Sequence, residues 1–303
     1  MAVSFIDRDN AYGLRGVAML MIIMSHTLNG YPGTHLPALH IELWGGMGTA
    51  VFFLFSGYGL TLSLMQRGRV DAGYVRAKAR RLIVPWLVYW VVEVAVLLIF
   101  NRGQLSWHLL TEALTLRLHP DVENWFFKVI IATYAVELLL FRCRMSNGAR
   151  VVATVVLAAG YVALARVCGL GHWWYNTILC FPLGALMAYR RDALRHIPAA
   201  VVSGTALVVM LATGLLWHGG IVFNMAFAVM AVSALHWLNL RWRWLRFVGY
   251  NSLLCYFVQV PVMDEVMMFA HPVFPLYCLL SVAGTVALVA AVVYAMKCVS
   301  LRY

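Results

Sequence analysis

The stretch LRGVAMLMIIMSHTL, Leu14–Leu28, is almost wholly apolar yet holds Arg15 near one end and His26 near the other. Both side chains are costly in hydrocarbon. Eleven residues separate them. At 100° per residue that is three helical turns plus about 20°, so a helix puts both on one face, roughly 16 Å apart along its axis. An imidazole of ordinary pKa, about 6.5, is largely neutral at physiological pH and able to take a proton. The chemistry this offers is general-base catalysis in a polar cavity, with a permanent cation three turns away. A plainer reading stands beside it on this helix alone: Arg15 as a boundary anchor whose charge reaches the interface, and His26 as a hydrogen-bonded structural histidine.

The elements that must position such a pair follow from composition. Of 303 residues, 63% are hydrophobic and 12% charged, too little polar surface for a soluble domain of this length. A spanning helix needs about 20 mainly apolar residues. Ten such runs are expected near Tyr12–Leu28, Met47–Met65, Leu82–Phe100, Asn124–Phe141, Val151–Cys168, Trp173–Tyr189, Ile197–Trp217, Ile221–Leu238, Phe247–Val266 and Phe274–Met296. The expected fold is an all-α integral membrane protein, one bundle of about ten transmembrane helices over residues 1–303 with no separate soluble domain and no cleaved signal. Continuous apolar runs exclude a β-barrel of alternating strands.

Charge placement orients the bundle. Basic residues cluster at Arg8 and Arg15, from Arg67 to Arg81, at Arg142, Arg144 and Arg150, at Arg190, Arg191 and Arg195, at Arg241, Arg243 and Arg246, and at Lys297 and Arg302. Ten spans put every cluster on one side, which the positive-inside rule makes cytoplasmic, together with both termini. Glu42, Glu112, Asp121, Glu123, Asp264 and Glu265 fall on the other side. The net charge of +11 thus follows membrane topology, and no nucleic-acid partner is expected. An amphipathic outer stretch, LSWHLLTEALTLRL, is expected to lie along the interface.

Several familiar constellations are missing. The six cysteines form no CxxC pair and read as small buried hydrophobes. The histidines show no HxxxH or HExxH spacing, so no metal site is expected. Ser56, in FSGYG, lies in a continuous apolar helix and is no GxSxG nucleophile elbow. Glu137 is expected to pair with Arg142 or to cap its helix.

Several motifs, in order, resemble those of the acyltransferase-3 family of bacterial membrane acyltransferases. The opening helix has the family's RG followed by a terminal histidine. GTAVFFLFSGYGLTL at Gly48–Leu62 is similar to its G-V-x-x-F-F-x-x-S-G-[FY] pattern. KARRLIVPWLVYW at Lys78–Trp90 resembles its basic motif followed by proline and aromatics. NWFFKVIIATY at Asn124–Tyr134, FPLGALMAYRR at Phe181–Arg191 and FVGYNSLLCYFVQVP at Phe247–Pro261 resemble later segments. The likeness runs from about residue 5 to 265. Two departures stand out: Gln259 occupies a position where many members carry histidine, and Lys78 opens the basic motif in place of arginine.

The resemblance implies O-acylation of a carbohydrate with acyl-CoA, most simply acetyl-CoA, as donor. His26 would then be the base and Arg15 a further site residue holding the pantetheine or a phosphate. Arg76, Lys78, Arg80 and Arg81 would complement the CoA phosphates, although positive-inside charge alone would also account for them. Glu42, Asn124, Trp125, Lys128, Ser252, Tyr256 and Gln259 would line the approach of the acceptor, an envelope glycan or its lipid-linked precursor. The expected location is the bacterial cytoplasmic membrane. A transporter or flippase for a glycan, and a catalytically silent relative, are the competing classes.

Overall fold

The computed structural model describes residues 7–31, 41–99, 124–217, 220–270 and 273–298. Among the described residues 85% are helical and none is in a strand. The helices are α1 (Arg8–Gly30), α2 (Ile41–Arg67), α3 (Ala72–Ile99), α4 (Trp125–Arg142), α5 (Asn147–Val167), α6 (Cys180–Tyr189), α7 (Ala199–Trp217), α8 (Ile221–Ala234), α9 (Arg243–Tyr250), α10 (Ser252–Ala270) and α11 (Phe274–Cys298). A 3₁₀ turn, His172–Trp174, precedes α6, and a four-residue helix, Arg191–Leu194, follows it. The expected interfacial stretch at 105–118, and the side chains of Glu42, Glu112, Asp121 and Glu123, lie outside the described residues.

Among the described residues five helices are long and apolar enough to cross a bilayer: Arg8–Gly30, Leu43–Arg67, Asn147–Val167, Ser252–Phe269 and Phe274–Cys298. Two expected spans are interrupted. The sixth, expected as one run from Trp173, opens as a 3₁₀ turn and further turns, so its α-helix is only the ten residues of α6. The ninth is broken at Asn251 into α9 and α10. There the Asn251 Nδ2 donates to the Phe247 carbonyl at 2.9 Å, a local hydrogen bond that competes with helix continuation.

α1 lies at the centre of the packing, and glycines set how it sits. A Cβ built on Gly13 would stand 2.0 Å from the Leu240 carbonyl oxygen, and one on Gly16 would stand 2.2 Å from that of Leu245. A Cβ on Gly249 of α9 would in turn stand 1.8 Å from the Tyr12 carbonyl oxygen, and one on Gly48 of α2 would stand 2.5 Å from that of Ala18. Between apolar helices in lipid there is little hydrophobic drive, so such close backbone approach is the main source of attraction.

Polar contacts tie down the N-terminal end of α1. Asp7 caps the helix by accepting from the Asn10 amide at 3.0 Å and also accepts from Arg241 Nε at 3.1 Å. The Asn10 amide first, and the Arg241 charge after it, hold the Asp7 carboxyl below the usual carboxylate range. Asn10 Oδ1 accepts from the Leu240 amide at 3.0 Å, and Arg246 pairs with Asp9.

The core is an aromatic block joining α3, α4 and α10. Trp86 stacks on Phe127 with centroids 5.2 Å apart, Tyr89 stacks on Phe257 at 5.6 Å, and Phe127 meets Phe257 edge-on at 5.0 Å. Glu137 does not pair with Arg142 as expected. It is 1% exposed, and its two oxygens accept from Thr61 Oγ1 at 2.9 Å and Thr154 Oγ1 at 3.1 Å, which joins α4 to α2 and α5.

The α2–α6 contact gives a test of this packing. A Cβ on Gly57 would sit 2.0 Å from the Phe181 carbonyl oxygen, whereas one on Gly59 meets nothing within 4 Å. Gly57→Val should therefore cost on the order of 3 kcal/mol through overpacking. Gly59→Ala should be neutral or stabilising by up to about 1 kcal/mol through helix propensity. Thermal melts of the two detergent-purified variants measure the contrast.

Candidate active site

Three arginines meet at the end of the bundle where α1 begins. Arg8, Tyr12 and Arg15 of α1, Arg81 and Pro85 of α3, and Tyr250, Asn251, Ser252, Leu253 and Leu254 at the α9–α10 break line a cavity of about 150 Å³. The first turn of α10 opens onto it. The Cys255 amide is bonded to the Asn251 carbonyl at 3.0 Å, so those of Ser252, Leu253 and Leu254 precede the first such bond of the helix. Amides in that position point outward at the positive end of the helix dipole and suit an anion.

Arg15 is held by π faces rather than by a carboxylate. Its guanidinium lies 5.7 Å from the Tyr12 ring centroid and 5.2 Å from that of Phe55, and its Nε is buried without a hydrogen bond. A cation placed this way keeps its charge available to a ligand. Lys78 lies over the Tyr74 ring at 5.1 Å, in the part of α3 that precedes the apolar run. Burial, and then the nearby charges of Arg81 and Arg15, lower its pKa to about 8.

The helix divides the four basic residues that sequence grouped together. Arg76 and Arg80, four apart, share an exposed face of α3 and do not line the cavity. Lys78 and Arg81 share the face toward Arg15. Arg8, which sequence reading left among the positive-inside charges, belongs with the site. It precedes His26 by eighteen residues, five full turns, so the same angular argument would have found it.

His26 is half-buried in the C-terminal half of α1, and its Nδ1 is buried with no hydrogen-bond partner. Its side chain interacts with that of Gln259 on α10. Gln259 is fully buried, and its Oε1 has no hydrogen-bond partner either. The mouth cavity does not reach the imidazole. Met19 and Ile22, the residues of the same α1 stripe between Arg15 and His26, are 1% and 5% exposed and packed in the core.

The residues expected along the acceptor approach separate into three places. Ser252 lies at the cationic mouth, because the break at Asn251 puts it at the inner end of α10. Tyr256 packs in the aromatic block, 5.5 Å from Phe126, and its carbonyl accepts from Gln259. Asn124, Trp125 and Lys128 lie at the start of α4. Asn124 takes a left-handed conformation, φ 63°, which asparagine tolerates better than most residues, and it is buried. Trp125 and Trp174 have centroids 6.3 Å apart, and the Lys128 ammonium is 5.8 Å from the Trp174 ring. Trp174 is thus part of the packing, while Trp173 is exposed.

Sequence reading also passed over Asn224 of α8. It is buried against Gly46 of α2, donates to the Gly220 carbonyl at 3.0 Å and leaves Oδ1 without a partner. A single asparagine in an apolar run carries no pattern that would single it out.

The family profile described as an acyltransferase domain, acyltransferase-3, matches residues 5–294. No match was found among curated proteins or among solved structures. The match takes in α1 with its Arg8, Arg15 and His26, the basic start of α3, and the α9–α10 break, which is nearly the whole chain: the protein belongs to the acyltransferase-3 family.

Proposed function

We propose that this membrane acyltransferase moves an acetyl or other short acyl group from acyl-CoA to a hydroxyl of a cell-envelope or exported carbohydrate. The observation that carries the reading is the cationic mouth. Arg8, Arg15 and Arg81 converge with the first turn of α10 on one cavity, and Lys78 stands beside it. CoA carries a 3′-phosphate and a pyrophosphate, and it is made in the cytoplasm, the side that the charge pattern assigns to this mouth. Arginine forks and helix-start amides are the physical complement of phosphate.

The pantetheine arm runs outward along the α1 stripe toward His26, with the flexible Met19 and its neighbour Ile22 giving way. The acceptor arrives from the outer side. His26 takes the proton of its hydroxyl as the oxygen attacks the thioester carbonyl. The tetrahedral intermediate collapses, the carbon–sulfur bond breaks, and the CoA thiolate recovers the proton from the imidazolium. The products are an ester and free CoA, with no acyl-enzyme. The bundle crosses the bacterial cytoplasmic membrane ten times in this reading, and both termini are cytoplasmic.

Three expected outcomes test it. His26→Ala should lower kcat by roughly 100- to 10,000-fold, whereas Arg81→Ala should raise the acyl-CoA KM by about tenfold or more, the scale of a lost charged hydrogen bond, with kcat little changed. Release of CoA from acetyl-CoA, with envelope glycan as acceptor, measures both; an active His26→Ala removes the base.

Lys78 should make donor affinity depend on pH. Its ammonium is present below about 8 and lost above it, so the acyl-CoA KM should rise as pH passes that value. In Lys78→Arg, whose charge persists, the dependence should flatten.

Topology is checked by thiol labelling. Cys143, Cys168 and Cys298 are exposed at helix ends. An impermeant maleimide should reach Cys168 in intact spheroplasts, and Cys143 and Cys298 only after the membrane is opened.

A further inference from the structure

We propose that Gln259 is a positioning residue that fixes the tautomer of His26. Its side-chain carbonyl accepts the Nδ1–H of the imidazole and leaves Nε2 as the atom that takes the acceptor's proton. The inference rests on the reading of His26 as the base. It reassigns Gln259 from the acceptor approach to the imidazole.

The argument begins with the orientation of the amide. Gln259 Nε2 donates to the Tyr256 carbonyl at 3.1 Å. A carbonyl has no proton to give, so only the amide nitrogen can face it, and Oε1 is turned the other way. There Oε1 is fully buried and has no hydrogen-bond partner. The side chain of Gln259 interacts with that of His26, whose Nδ1 is buried and has no hydrogen-bond partner either. A buried acceptor beside a ring nitrogen that can carry a proton is a complementary pair, and leaving both unsatisfied is the costlier arrangement. In a neutral imidazole one nitrogen holds the proton and the other the lone pair. Donation through Nδ1 therefore puts the lone pair on Nε2.

No charged group competes for the ring among the described residues. On the helices packed against this half of α1, Asp264 of α10 and Tyr277 of α11 act on each other. The Cys278 thiol of α11 meets Thr27 at 3.5 Å, and α2 brings only Gly45 against Ser25. A neutral amide thus orients the imidazole where a carboxylate would otherwise do so. The difference is functional. A carboxylate would keep the imidazole protonated to higher pH, whereas an amide dipole orients the ring and leaves it free to take a proton near neutrality.

The test uses the full-length protein in lipid nanodiscs, with acetyl-CoA as donor and alkali-treated envelope glycan as acceptor, read by CoA release. Gln259→Leu removes both hydrogen bonds and should lower kcat at least about tenfold, within the range that a positioned base contributes, with the acetyl-CoA KM unchanged. Gln259→Glu keeps an acceptor for the imidazole, but as a carboxylate it cannot donate to Tyr256. It should retain most of the rate, with the acidic limb of its pH–rate profile moved to higher pH. If Gln259 merely braces α10 through Tyr256, the Glu variant will fail as the Leu variant does and its profile will not move. That result overturns the proposal, as does a Gln259→Leu variant with wild-type kcat. His26→Ala separates the two layers: activity in that variant removes the base reading itself, whereas its loss beside a fully active Gln259→Leu removes only the role of Gln259.

Discussion

The rotational setting of α1 is the constraint on which the site depends. Three glycine contacts with neighbouring backbones, Gly13 and Gly16 against the α8–α9 connection and α9, and Gly249 against Tyr12, allow the helix one orientation at that interface. Side chains there would push the backbones apart and forfeit the dispersion contacts that hold helices together in lipid. With that face committed, the stripe of Arg8, Arg15, Met19, Ile22 and His26 is directed toward α2, α3 and α10. A rotation of one residue, about 100°, would turn the arginine and the histidine away from the elements that complete the site.

Breaks in regular structure supply what the stripe lacks. A helix that crossed without interruption through Asn251 would satisfy its own amides and offer nothing at the mouth. The break there starts a second helix whose first-turn donors open onto the arginines. Irregular backbone inside a membrane protein is tolerated where it is packed in protein or lines a cavity, and this one does both. Gly249 is pressed against Tyr12, and Ser252 to Leu254 face the cavity.

Legibility from sequence followed the range of the interaction. The Arg15–His26 stripe was readable because helical periodicity is local, and Arg8 was readable on the same ground although it was passed over. Arg76 and Arg80 were grouped with Lys78 and Arg81 because charge was counted along the chain, while the helix sorts it by face. Ser252 was misplaced because a hydropathy run does not register a break made by one asparagine. Glu137 was expected beside Arg142, five residues along the same helix. Its partners, Thr61 and Thr154, come from other helices and leave no trace in its own neighbourhood. Gln259 was visible as a departure from the family pattern, but its orientation depends on the Tyr256 carbonyl and on α1.

The distance between the arginines and the imidazole has its own logic. A base must become a cation during the reaction, and a fixed guanidinium nearby opposes that. At an effective dielectric constant of about 20, two unit charges interact by about 4 kcal/mol at 4 Å and by roughly 1 kcal/mol at 16 Å. Three turns of helix therefore reduce the opposition from a prohibitive level to one that a bound polyphosphate neutralises further. In the proposed reaction the arginines would hold the anionic end of the donor and the thioester would lie at the far end of a neutral arm; the apolar Met19 and Ile22 occupy the interval, where any polar group would draw water toward the reacting carbonyl. Separation of the charged grip from the neutral base is then a requirement of the chemistry, and the helix meets it with one stripe of one face.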